Sequence, residues 1–114
     1  MHDDQQIEIH SREYWFKVVE MLQQNWALID KDAESDACTV FFINDASGVF
    51  DRLRFSTVKE AMRALQRNGF AGYAKDKEAQ EFIAPPLPPY YAAQHPKVLS
   101  RFLCEIFIGQ FLEE

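Results

Sequence analysis

Residues 38–55 read CTVFFINDASGVFDRLRF, and the fold turns on how that stretch is parsed. The run 38–43 is β-branched and aromatic throughout, the composition of a strand covered on both faces. Residues 44–48 are turn formers, which predicts a hairpin with Gly48 as the left-handed residue that closes it through a bulge. Residues 49–55 then pair back. Alternation puts Val49, Asp51, Leu53 and Phe55 on one face and Phe50, Arg52 and Arg54 on the other. Asp51 is the odd member, because an acid on an apolar face must lie at an edge, beside a bulge or against a partner.

Downstream, Thr57 and Glu60 have the spacing of a capping box, and Val58, Ala61, Met62 and Leu65 recur at helical spacing. Asn68-Gly69 predicts the helix end, with Phe70 folding back as the apolar contact of a Schellman cap. Upstream, Ser11 is placed to cap a helix whose stripe is Tyr14, Trp15, Val18, Val19 and Leu22, with Phe16 off the stripe. That helix is expected to end near Asn25, before a short strand at residues 26–29. Residues 1–10 are expected to fray, unless Ile7-Glu8-Ile9 is pinned as an edge strand. The loop 30–36 alternates acids, but Ser35 and Phe41 stand where a calcium-binding EF-hand loop needs Gly and Glu, so it reads as a solvated acidic hairpin loop.

The order helix, strand, strand, strand, helix over residues 11–67 resembles the topology of the double-stranded-RNA-binding domain. The resemblance implies phosphate contacts near Lys59 and Arg63. The loop that would enter the minor groove is, however, the acidic stretch 30–36.

Beyond the helix, residues 71–74 suggest a short extended piece and 75–81 an exposed turn or short helix. Residues 85–91, Pro-Pro-Leu-Pro-Pro-Tyr-Tyr, place four prolines in five positions. They read as a polyproline II strip kept out of a sheet interior, packed on its own domain by Leu87, Tyr90 and Tyr91. Pro88-Pro89-Tyr90-Tyr91 also has the PPxY pattern that aromatic-lined domains dock. A final helix is expected at 96–112, although residues 104–112 are equally strand-like. Its apolar residues exceed one stripe, so Phe107, Ile108 and Phe111 are assigned to a self-association surface.

The chain has 114 residues, 47% of them hydrophobic, and a net charge of −6, which fits one domain with a full core. Nine acids and three bases fall in residues 1–36, against three acids and five bases in 37–67. Only the middle can attract an anion, through Arg52, Arg54, Lys59, Arg63 and Arg67; the acidic balance argues against general nucleic-acid binding. Two cysteines inside apolar runs read as reduced thiols. With no signal-like start and no apolar run of about 18 residues, the expectation is a cytoplasmic chain away from membranes.

No nucleophile elbow, phosphate loop, dinucleotide fingerprint or metal-ligand spacing occurs, and no cofactor is expected. The sequence thus predicts a single α+β domain over residues 11–114: a three-stranded antiparallel sheet in α-β-β-β-α order plus a C-terminal apolar helix. The expected function is a non-enzymatic interaction or accessory module working as a homo-oligomer, with a protein partner open. Weak nucleic-acid or anion binding and a small enzyme with an Asp51-centred pocket are the alternatives.

Overall fold

In the computed structural model, residues 6–20 and 23–93 are described. They form seven strands, two α-helices and one turn of 3-10 helix. In chain order these are β1 (Gln6–Ile7), β2 (Trp15–Glu20), β3 (Gln23–Lys31), β4 (Cys38–Ile43), β5 (Gly48–Phe55), α1 (Val58–Arg67), β6 (Ala71–Gly72), the 3-10 turn (Tyr73–Lys75), α2 (Lys77–Phe82) and β7 (Tyr90–Ala92). One sheet holds all seven strands in the order β1-β7-β5-β4-β3-β2-β6. It is mixed, because β7 lies parallel to β5 while the other pairs are antiparallel.

This corrects the expected three-stranded antiparallel sheet in α-β-β-β-α order. The predicted first helix is β2 and the start of β3. Aromatic and β-branched residues dominate 14–19, and the strand buries Phe16, which a helix leaves off its stripe, while Val18 is exposed. Without that helix the resemblance to the RNA-binding domain loses its first element. The expected C-terminal helix, with Phe107, Ile108 and Phe111, lies outside the described residues.

The central strand is where the sequence puts it. β4 is buried at every position except Thr39, and it pairs with both β3 and β5. The hairpin differs in detail. Ser47, at φ 66°, is the left-handed residue, whereas Gly48 has no positive φ. Asn44 Oδ1 accepts the N–H groups of Ala46 and Gly48, each at 2.9 Å, and fixes the turn. Gly48 is needed for closeness instead: a Cβ there would lie 2.7 Å from the Ala93 Cβ.

A bulge shifts the phase of β5. Phe42 pairs with Asp51 and Ile43 with Val49, which leaves Phe50 as the extra residue. Phe50 therefore joins Leu53 and Phe55 under α1, and Val49 turns to the opposite core. The expected alternation is correct from Asp51 onward and inverted before it.

Helix α1 has the ends the sequence marks. Thr57 Oγ1 accepts from Glu60 N at 3.1 Å, Phe70 N donates to Leu65 O at 2.9 Å, and Gly69 N donates to Gln66 O at 3.1 Å. Gly69 sits at φ 90° and Phe70 is buried, which completes a Schellman motif. Ala61 and Leu65 of α1 pack on Ala27, Cys38, Val40 and Phe42, forming the core on one face of the sheet.

The other face holds Phe16, Trp26, Leu28, Phe41 and Ile43, covered by Ile9, Tyr14, Tyr73, Ala79, Ile83 and Tyr90. Trp26 is its centre: edge contacts from Tyr14 at 5.9 Å and Tyr73 at 5.6 Å flank the indole, whose N–H donates to Asp45 at 2.8 Å. The proline segment crosses this face and then re-enters the sheet. Pro88 and Pro89 stay out of the ladder, but Tyr90–Ala92 lies between β1 and β5, so the strip does reach a sheet interior. Tyr90 is its buried anchor, while Leu87 and Tyr91 are exposed. No helix among the described residues is long and apolar enough to cross a membrane.

Candidate functional site

The five basic residues of the candidate anion-binding set are distributed over two faces. Arg52 and Arg54 extend on the face of Phe41 and Thr39, whereas α1 packs on the opposite face. Lys59, Arg63 and Arg67 are exposed on α1, so the sheet separates the two groups. Arg54 meets Asp32 through two parallel hydrogen bonds of 3.0 Å and donates to Thr39 Oγ1 at 3.0 Å. Arg52 lies over the Phe41 ring, 5.5 Å from its centroid. Asp32 is held below the usual carboxylate range, first by the Arg54 hydrogen bonds and also by Ser35.

A polar row therefore runs across three strands: Asp30 pairs with Thr39, and Thr39 with Arg54. His10 closes over its end, with Nδ1 3.2 Å from Asp30 Oδ2. A cleft of about 410 Å³ lies here, lined by His10, Asp30, Asp32, Thr39 and Phe41 among others. Lys31 is the cation among its lining residues, and Asp32 on its wall is already paired with Arg54. Among the described residues no group of three or more His, Cys, Asp or Glu is placed to hold a metal ion.

Asp51 sits at the β5 bulge, where its carboxylate accepts the Arg52 N–H at 2.8 Å. It takes no part in lining the cleft at His10. Cys38 is buried and burial pushes its thiol up; its Sγ donates to Thr57 O at 3.5 Å. A buried thiol in that state is a poor nucleophile. Pro88, Pro89 and Tyr90 form one wall of a polar cleft of about 510 Å³ with Arg12 and residues 6–10. Arg12 is stacked on Tyr90 and hydrogen-bonded to Ile9 O and Ser11 O.

A third cleft is different in kind. It measures about 490 Å³ and lies between α1 and the sheet edge, lined chiefly by Trp15, Met62, Phe70, Ala71, Gly72 and Ala74, with Glu13, Gln66 and Lys75 at its rim. Three elements place these side chains. The Schellman turn brings Phe70 back under α1, β6 carries Ala71 and Gly72 onto the edge of β2, and β2 presents Trp15 directly across from Gly72. Met62 remains 37% exposed on the solvent side of α1. Sequence reading misses this site, since it exists only once residues 71–72 pair with 15–16. The available signal is Gly72, in an extended stretch that needs no turn.

Fold and site together define a small mixed-sheet α+β domain with an apolar cleft at one sheet edge and no assembled catalytic group among the described residues. Comparison of the chain with protein-family models, with curated proteins and with solved structures gave no match.

Proposed function

We propose that the protein is a small non-enzymatic interaction or accessory module that works as a homo-oligomer in the cytoplasm. The observation that carries this reading is the apolar cleft beside β6. An open apolar recess rimmed by polar groups is what docking surfaces present. The surplus of apolar residues at 96–112, including Phe107, Ile108 and Phe111, adds support from the sequence. The free, buried Cys38 thiol fits a reducing compartment.

Anion binding gains less support, because Arg54 is paired with Asp32 and Arg52 and Arg54 stand apart from the α1 row. Sedimentation of the full chain across the micromolar range tests the proposal: a mass that rises to a defined oligomer is expected. A monomer up to several hundred micromolar would overturn it.

A further inference from the structure

The apolar cleft beside β6 and the apolar surplus at residues 96–112 belong to one chain, and their relative positions decide how they can meet. The recess of about 490 Å³ is walled by Trp15, Met62 and Phe70, and its rim carries only Glu13 and Lys75 as charges. Residues 106–112 read IFIGQFL, a run without any charge. Phe107, Ile108 and Phe111 stand at i, i+1 and i+4, so a helix turns all three to one side. That side suits an apolar recess, because filling it removes hydrocarbon from water without desolvating an ion. The chain thus carries both halves of a contact.

Geometry separates the two halves within one copy. Ala93, the last described residue, donates its N–H to Val49 O beside the end of β7, which lies next to the β1 edge of the sheet. The cleft is at the opposite edge. One transverse row joins these places, since Ala92, Val49, Ile43, Trp26, Phe16 and Ala71 pair in succession. At the usual strand spacing the row spans roughly 24 Å. Helix α1 lies across it, packed over Ala27, Val40, Phe42 and Phe50, and the cleft opens on the far side of that helix. A helix expected from Pro96 has no interior proline and bends only gently, so it cannot arch over α1 and descend into the recess. Ile108 also stands only ~18 Å along its axis from Pro96. The cleft of a second copy is not screened in this way.

We infer that two copies of the chain exchange their C-terminal segments, each laying Phe107, Ile108 and Phe111 into the other's cleft against Trp15, Met62 and Phe70. The exchange is reciprocal about a twofold axis, so it closes at a dimer and leaves no cleft open. Each aromatic side chain buries about 150–250 Å², and with the cleft walls they cover the two contacts reach the ~1,200–2,000 Å² of stable interfaces. The inference rests on the self-association reading and names the two surfaces that meet.

The test is complementation between two variants of the full chain, followed by sedimentation. Met62→Glu spoils the cleft and leaves the segment, whereas Ile108→Asp with Phe111→Asp spoils the segment and leaves the cleft. Each variant alone should bind itself at least tenfold more weakly than wild type, with unchanged circular dichroism, since Met62 is already 37% exposed. Mixed in equal amounts they should pair again, because one intact segment then meets one intact cleft. Gly72→Val adds bulk at the cleft with a Cβ that meets nothing within 4 Å in its own chain, and it replaces Met62→Glu if that variant misfolds. A monomeric wild type overturns both this inference and the self-association reading. A wild-type dimer overturns the exchange alone if the variants stay apart when mixed, or if Met62→Glu and Gly72→Val both leave it intact.

Discussion

The hydroxyls of Tyr14 and Tyr90 meet in a buried hydrogen bond, although 76 residues separate them in the chain. Tyr14 also donates to the Pro86 carbonyl, which leaves Tyr90 as the donor between the two rings. The pair ties the proline segment to the sheet at the first residue of β7.

Tyr14→Phe therefore strands one acceptor and one donor in the core. A loss of ~1–3 kcal/mol in urea unfolding is expected, the usual cost of an unmade buried hydrogen bond. The effect should grow less evident at high pH. Burial, and secondarily Tyr90, raise the Tyr14 phenol well above its ordinary range. The folded chain thus keeps a proton that the unfolded chain releases above pH of about 10. Stability from this group is fully present below that pH and falls as pH rises past it. Wild type should lose stability between pH 9 and 11 faster than Tyr14→Phe, and equal slopes would refute the assignment.

Asp32 and Arg54 give the opposite dependence. Arg54 holds the Asp32 carboxyl low, so the contribution is present above the ordinary carboxylate range and disappears as pH falls through the lowered value. Asp32→Asn should flatten the acid limb of the stability curve while changing neutral stability little, because the pair is on the surface. Added salt should shrink the difference between the two proteins. Acid titration followed by tryptophan fluorescence at two ionic strengths provides the measurement.

What is legible in the sequence is local. The β4–β5 hairpin, the Thr57 cap and the Asn68-Gly69-Phe70 stop each depend on contacts within a few residues, and each stands where those residues place it. Residues 14–19 mislead because Tyr14, Trp15, Val18 and Val19 satisfy helical spacing as well as Tyr14 and Phe16 satisfy strand alternation. The partners that decide between them, Trp26 and Ala71, lie ten and 55 residues from Phe16. The same non-locality hides β7, whose parallel pairing with β5 follows a proline run that by itself argues against a sheet. It also hides the apolar cleft, which joins residues 13–15 to 62–75. Arg52 and Arg54 share a face as the alternation predicts; their separation from the α1 row depends on which side of the sheet the helix takes.

Two glycines separate backbone strain from crowding. Gly69→Val places a β-branched residue at φ 90°, which should cost more than ~1 kcal/mol. Gly48→Ala should also destabilise, by a different route: its Cβ would lie 2.7 Å from the Ala93 Cβ and 2.8 Å from Asn44 Nδ2. Ala93→Gly removes the first of these contacts, so it should partly rescue Gly48→Ala and do nothing for Gly69→Val. Equal rescue of both, or of neither, in thermal melts would show that the turn and β7 are not packed as described.

The C-terminal residues provide a coupling experiment. Phe107, Ile108 and Phe111 are more apolar side chains than one helical stripe uses, and burying each is worth ~1.5–3 kcal/mol before association costs. If they serve self-association, Ile108→Asp with Phe111→Asp should shift the full chain from oligomer to monomer while circular dichroism stays unchanged. Combining that pair with Met62→Glu, in the apolar cleft, shows whether the two regions touch. Residues in contact couple by ~0.5–3 kcal/mol of either sign, whereas residues more than about 7–10 Å apart add within ~0.3–0.5 kcal/mol. Non-additive weakening in sedimentation would place the C-terminal residues against the apolar cleft. Strict additivity would mean that the two regions do not touch, and an oligomer indifferent to Ile108→Asp and Phe111→Asp would remove them from self-association altogether.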